Sequence, residues 1–115
     1  MMKQKYIFLY VTTSTQQEAK NISHQLLTQR YIACANIFPI NSMYEWKRKI
    51  TSQQEYAVIL KTTEGKANRV KHEIEAMHSY TIPCIIKIPV VPNASYATWL
   101  SSQLQGSSRG RAGKS

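Results

Sequence analysis

The side chains here that could ligate a metal or move a proton are few and scattered. There are three histidines, His24, His72 and His78, and two cysteines, Cys34 and Cys84. Every acidic residue is a glutamate, at positions 18, 45, 55, 64, 73 and 75, and aspartate is absent. Calcium loops, and to a lesser degree magnesium sites, depend on clustered carboxylates, so this distribution argues against both. His24 and His72 fall outside the apolar stripes of their helices and read as solvated side chains. His78 stands apart, because it closes an amphipathic segment and opens the run His78-Ser79-Tyr80-Thr81-Ile82-Pro83. A histidine there can simply cap the last carbonyls of a helix and favour its negative end. It is also the one histidine placed for chemistry. No nucleophile–base pair, paired catalytic carboxylates or cofactor loop accompanies it, which argues against an enzyme.

The elements that must position these residues follow from periodicity. Tyr6–Thr12 is aromatic and β-branched, a buried first strand. Thr15 with Glu18 forms a capping box, and Ala19, Ile22, Leu26 and Leu27 recur at helical spacing up to Arg30. Two long strands are then expected, Ala33–Ile50 and Glu55–Thr62, joined by the polar turn Thr51–Gln54. From Phe38 onward a period of two places Phe38, Ile40, Tyr44, Trp46 and Ile50 on one face. A second helix, capped by Thr63 or Thr62, turns Ala67, Val70, Ile74 and Met77 inward. Cys84–Val91 is a fourth strand, and Pro89 confines it to a sheet edge because proline cannot donate to a second neighbour. A short third helix, capped by Asn93 or Ser95, aligns Tyr96, Trp99, Leu100 and Leu104.

The order β-α-β-β-α-β with right-handed crossovers predicts an α+β, ferredoxin-like antiparallel sheet. Strands one and three are central; strands two and four are edges. Cys34 and Cys84 then sit about 14 Å apart on opposite edges, beyond disulfide reach. The first hairpin arm would span about 40 Å, against a radius of gyration of about 13 Å for a globule of this length. An apolar edge that overhangs its domain needs another chain to cover it. An oligomer is expected.

Composition sets the remaining bounds. The chain has 115 residues and a formal charge of +9, with 43% hydrophobic and 18% charged residues. It reads as one domain, 1–104, followed by a basic, disordered tail over 105–115. No apolar run reaches the 18 or so residues of a membrane span, and the short run near the start is not a signal-peptide core. The expected location is the cytoplasm, with both cysteines as thiols. Ser108–Ser115 looks like a phosphate-binding loop, but no strand precedes it and no helix can follow. The topology is also that of an RNA-binding fold, yet Glu55–Thr62 lacks the aromatic platform on which bases stack. Only non-specific phosphate attraction, through the tail and Lys47-Arg48-Lys49, is expected.

Five stations then line up in order: Cys34-Ala35-Asn36-Ile37, Tyr44-x-Trp46 with Lys49-Ile50, Leu60-Lys61-Thr62, His78-x-Tyr80-x-x-Pro83, and Tyr96-x-x-Trp99-Leu100. With these the chain resembles the CutA family of divalent-ion tolerance proteins from Tyr6 to Leu104. The resemblance implies a homotrimer built by pairing hairpins between subunits, and a link to copper or another divalent transition metal. It implies an inter-subunit cleft near Lys61, Tyr80 and Trp46, with Tyr44, Trp46 and Trp99 as interface aromatics. The chain also departs from the family pattern. Arg48 replaces a glycine and Lys47 an acid; Ser79, Thr81 and Cys84 replace a proline and two glutamates; Val11 stands where some members carry a cysteine. The metal ligands left in that region are His78 and the new Cys84. Imidazole plus thiol suits copper or zinc, and two ligands require a neighbouring subunit to complete the site. The first alternative is a trimer that binds a small metabolite or a protein partner with no specific metal, and the second is a basic nucleic-acid-associated module.

Overall fold

A computed structural model describes residues 4–105. The tail beyond Gln105, with the loop-like run 108–115, lies outside the described residues. The elements are β1 (Tyr6–Thr13), α1 (Gln16–Thr28), β2 (Cys34–Trp46), β3 (Lys49–Thr63), α2 (Glu64–Met77), β4 (Ile85–Val90) and α3 (Ala94–Gln103). The four strands form one antiparallel sheet in the order β2-β3-β1-β4, so β1 and β3 are central as expected. Cys34 and Cys84 are not joined in a disulfide.

Strand alternation divides the sheet into two faces. Ile7, Leu9 and Val11 of β1 and Val58 and Leu60 of β3 point to one side and meet α1 through Ala19, Ile22 and Leu26. Ala67, Val70 and Ile74 of α2 complete this main core. The opposite face carries Tyr6, Phe8, Tyr10 and the odd-numbered residues of β3, and α3 covers one end of it. There Leu100 and Leu104 pack on Ala33, with Tyr6, Tyr96 and Trp99 around them.

The hairpin differs from the expectation in where it turns. The chain reverses at Lys47-Arg48, both with left-handed φ (52° and 67°), and Trp46 pairs with Lys49. A two-residue turn of this hand matches strand twist but normally recruits Asn-Gly. Neither residue signals it, and Thr51–Gln54 continues as strand because the ribbon is solvent-exposed on both sides and tolerates polar residues. The moved turn also changes the face of Ile50. It pairs with Glu45, on the face opposite to Phe38, Ile40, Tyr44 and Trp46.

The overhang is real. Only Tyr56–Thr63 of β3 pairs with β1, while residues 49–55 pair with β2 alone. At ~3.4 Å per residue this ribbon projects about 24 Å beyond the sheet. The molecule accordingly measures 51 × 29 × 26 Å, with a radius of gyration of 15.4 Å.

Candidate functional site

Helix α2 ends at Met77, and the segment 78–84 folds back across the end of β1. His78 is its pivot. Its backbone N–H still donates to Ile74 at 2.8 Å, as a terminating residue should. Its side chain is 0% exposed and does not cap the helix. Instead Nε2 lies 2.8 Å from the carbonyl of Thr12, and the backbone N–H of Tyr80 donates to Nδ1 at 3.0 Å. A carbonyl can only accept and an amide N–H can only donate, so Nε2 carries the proton and Nδ1 offers its lone pair inward. Both nitrogens are used within the chain.

Glu18 ties this segment to α1. Thr15 accepts the N–H of Glu18 at 3.0 Å, the expected half of a capping box. The carboxylate does not return to Thr15. Oε1 accepts from the N–H and hydroxyl of Ser14 at 3.1 and 3.2 Å, and Oε2 accepts from the N–H of Ser79 at 2.8 Å. Burial pushes the Glu18 carboxyl upward, but the hydrogen bonds from Ser79 and Ser14 and the nearby His78 outweigh it, leaving the group below the usual carboxylate range. A depressed folded value means that this stability is present above the unfolded value of about 4.3 and is lost as pH falls through the folded one. Acid unfolding should therefore steepen below about pH 4, and Glu18→Gln should flatten that arm of a stability–pH profile. An unchanged acid limb in the variant would refute this.

Beyond the pivot, the Tyr80 ring stacks obliquely on His78 at 4.8 Å and its hydroxyl donates to Oε2 of Glu55 at 2.6 Å. Glu55 lies on the sheet face away from the main helices and is 7% exposed. Burial, the hydrogen bond to Glu55 and the charge of Glu55 all push the Tyr80 phenol upward, so it stays a donor. Tyr80→Phe would leave a buried carboxylate without this partner. The expected loss is about 1–3 kcal/mol in urea unfolding; a variant as stable as the parent would show the bond to be dispensable. Tyr44, Trp46, Gln53 and Ile82 join Tyr80 and Glu55 around an open cavity of about 590 Å³. The Tyr44 hydroxyl donates to Gln53 at 2.6 Å, which stiffens this wall.

The expected site residues are therefore only partly gathered. Tyr80 and Trp46 share a cavity with Tyr44. Lys61 does not join them within one chain: it stands six positions along β3 from Glu55, about 20 Å away. Its ammonium lies 5.4 and 5.3 Å from the rings of Phe8 and Tyr96, beneath α3. Trp99 packs in its own chain's α3 core, whereas Tyr44 and Trp46 are 41% and 61% exposed on the ribbon. Cys84 sits half-buried just before β4. Among the described residues no group of three or more His, Cys, Asp or Glu could hold a metal ion. With both His78 nitrogens engaged, the residues of a single chain do not fit one. Sequence reasoning passed over Glu55, which reads as the first polar residue of a strand; its burial comes from a segment far along the chain.

Comparison with known proteins assigns the family. The family model described as CutA1 divalent ion tolerance protein matches residues 7–103. The chain belongs to the CutA1 family. It is 46% identical over 83 residues to the divalent-cation tolerance protein CutA of Archaeoglobus fulgidus, covering 72% of this chain and 81% of that protein. It is 38% identical over 95 residues to the CutA protein of Thermotoga maritima, covering 82% and 94%. The crystal structure of the divalent ion tolerance protein CutA1 from Ehrlichia chaffeensis superposes with a TM-score of 0.86 at 37% identity, covering 90% of this chain and 99% of that one. The fold and family read from the CutA motifs are thus confirmed.

Proposed function

We propose that this CutA1 chain serves divalent-cation tolerance as a homotrimer, in which neighbouring copies cover each hairpin and a transition-metal ion such as copper is held between chains. The observation that carries this reading is the bare ribbon. Its edges beyond β1 have no strand partner among the described residues, and Met43, Trp46 and Ile50 on it are 71%, 61% and 73% exposed. A two-stranded ribbon with apolar side chains is marginal in water and invites edge pairing. Ile86, Ile88 and Val91 on and beside the β4 edge supply more uncovered apolar surface. The number three rests on the family resemblance, and the ion on the family's description.

A second reading is favoured by the state of His78. For His78 and Cys84 to bind copper, Nδ1 would have to give up the Tyr80 N–H. A trimer whose cleft takes a small molecule or protein partner, with no specific metal, keeps that bond. Native mass spectrometry with and without copper separates the two. A trimer with saturable copper uptake supports the first reading, a trimer without it leaves the second, and a monomer sinks both. The tip residues Lys47, Arg48 and Lys49 attract phosphate only non-specifically, and such binding should vanish at moderate salt. The two thiols suit a reducing compartment, and we place the protein in the cytoplasm.

A further inference from the structure

The cavity beneath the hairpin has a chemistry that cation tolerance does not explain. Its floor is Glu55, a carboxylate 7% exposed on the sheet face away from the main helices. Tyr80 fixes one oxygen, Oε2, from one side. Among the described residues no donor is bonded to Oε1 and no ion pair reaches Glu55. A largely buried carboxylate whose second oxygen opens into the cavity favours a positive charge beside it. Around that position stand the rings of Tyr44, Trp46 and Tyr80, with Ile82 as an apolar rim. Aromatic faces attract cations within about 6 Å, more strongly when water is excluded. One ring of the set already does so: the Lys47 ammonium lies 5.9 Å from the Trp46 centroid, although Lys47 does not line the cavity.

From this arrangement we infer that Glu55, Tyr44, Trp46 and Tyr80 form a binding site for an organic cation, an alkylammonium or a guanidinium. A hard divalent ion is a poorer occupant. Calcium and magnesium take six or more oxygens and lean on clustered carboxylates, and among the described residues Glu55 is the one carboxylate lining this cavity. Copper and zinc prefer imidazole or thiolate, and neither lines this cavity. An organic cation needs only one salt bridge to Oε1, while its alkyl or planar part lies against the rings. The cavity, about 590 Å³, has the size of a small-molecule site. The cation has two sources: a free amine, or a lysine or arginine of a second copy inserted as the ribbons pair. The inference deepens the inter-subunit cleft proposed above, naming the class of ligand it takes, and rests on that reading where it places Tyr44 and Trp46 at the cleft.

The test is titration of the intact protein with butylammonium, methylguanidinium and butanol, by calorimetry and native mass spectrometry, in the parent and in Glu55→Gln. Glutamine preserves the shape of Glu55 and can still accept from Tyr80, so the variant should fold. Saturable uptake of either cation, at least about tenfold weaker in Glu55→Gln and absent for butanol, establishes the site. A parent that takes up neither cation, but whose oligomer dissociates about tenfold more readily as Glu55→Gln, assigns the cation to a neighbouring copy. Equal binding of butylammonium and butanol, or equal binding by parent and variant, overturns the inference. So does an oligomer that takes up no cation and is unaltered by the substitution. The same spectra report the number of chains, so a monomer would refute the proposed assembly separately from the cation site.

Discussion

Replacing residues 42–53 with Asn-Gly, so that Asn41 joins Gln54 through a two-residue turn, should give a folded monomer. The design keeps the register, because Asn41 and Gln54 already face each other across the hairpin. It removes the outer ribbon, including Tyr44 and Trp46, and leaves all the pairing of β3 with β1 intact. No residue between 42 and 53 belongs to either core cluster, so the four-stranded sheet and its helices lose none of their buried apolar side chains. Asn-Gly also adopts the left-handed backbone more readily than Lys47-Arg48, which gives up strain of roughly 1–2 kcal/mol per residue. What disappears is the surface that another chain would cover. A stable assembly needs about 1,000 Å² or more of buried interface, and the other described residues offer no comparable projection. Sedimentation and far-ultraviolet circular dichroism check the two halves of this expectation. An oligomer that survives the truncation would show that the ribbon is not what joins the chains.

Leu60→Ala should be the most damaging single substitution in the sheet. Leu60 is 0% exposed on the central strand β3, paired with Leu9 of β1 and Ala35 of β2 and packed under both helices of the main core. Three flanking elements restrain collapse around the void, so the cost combines lost burial with an unfilled cavity. The expected loss is about 2–5 kcal/mol. Against a total of about 5–15 kcal/mol this brings the fold near its limit. Urea unfolding should be compared at one protein concentration, because association adds stability by mass action. Met43→Ala, by contrast, should change the stability of the isolated chain by no more than about 0.5 kcal/mol, since Met43 is 71% exposed on the ribbon. A Leu60→Ala loss below about 1 kcal/mol would mean that the site repacks.

The sequence by itself determined the order of the elements, the central and edge strands, the family and the overhang. Each rests on a local signal: period two in Ile7, Leu9 and Val11, helical spacing in Val70 and Ile74, and Pro89 on a strand open to solvent on one side. Such signals survive because they are repeated along neighbouring residues and each element must bury one face. The hairpin turn was not legible, since Lys47-Arg48 carries no glycine or asparagine to announce its left-handed backbone. The site was decided only by the tertiary structure. Glu18 and Ser79, 61 positions apart, meet through one hydrogen bond, and Tyr80 and Glu55, 25 apart, through another. Nothing near Glu55 in the chain marks it as buried, because the cover comes from the segment that follows α2. That same segment, through the Tyr80 N–H, and Thr12 of β1 engage the two nitrogens of His78, leaving the residue best placed by sequence for a metal occupied within its own chain.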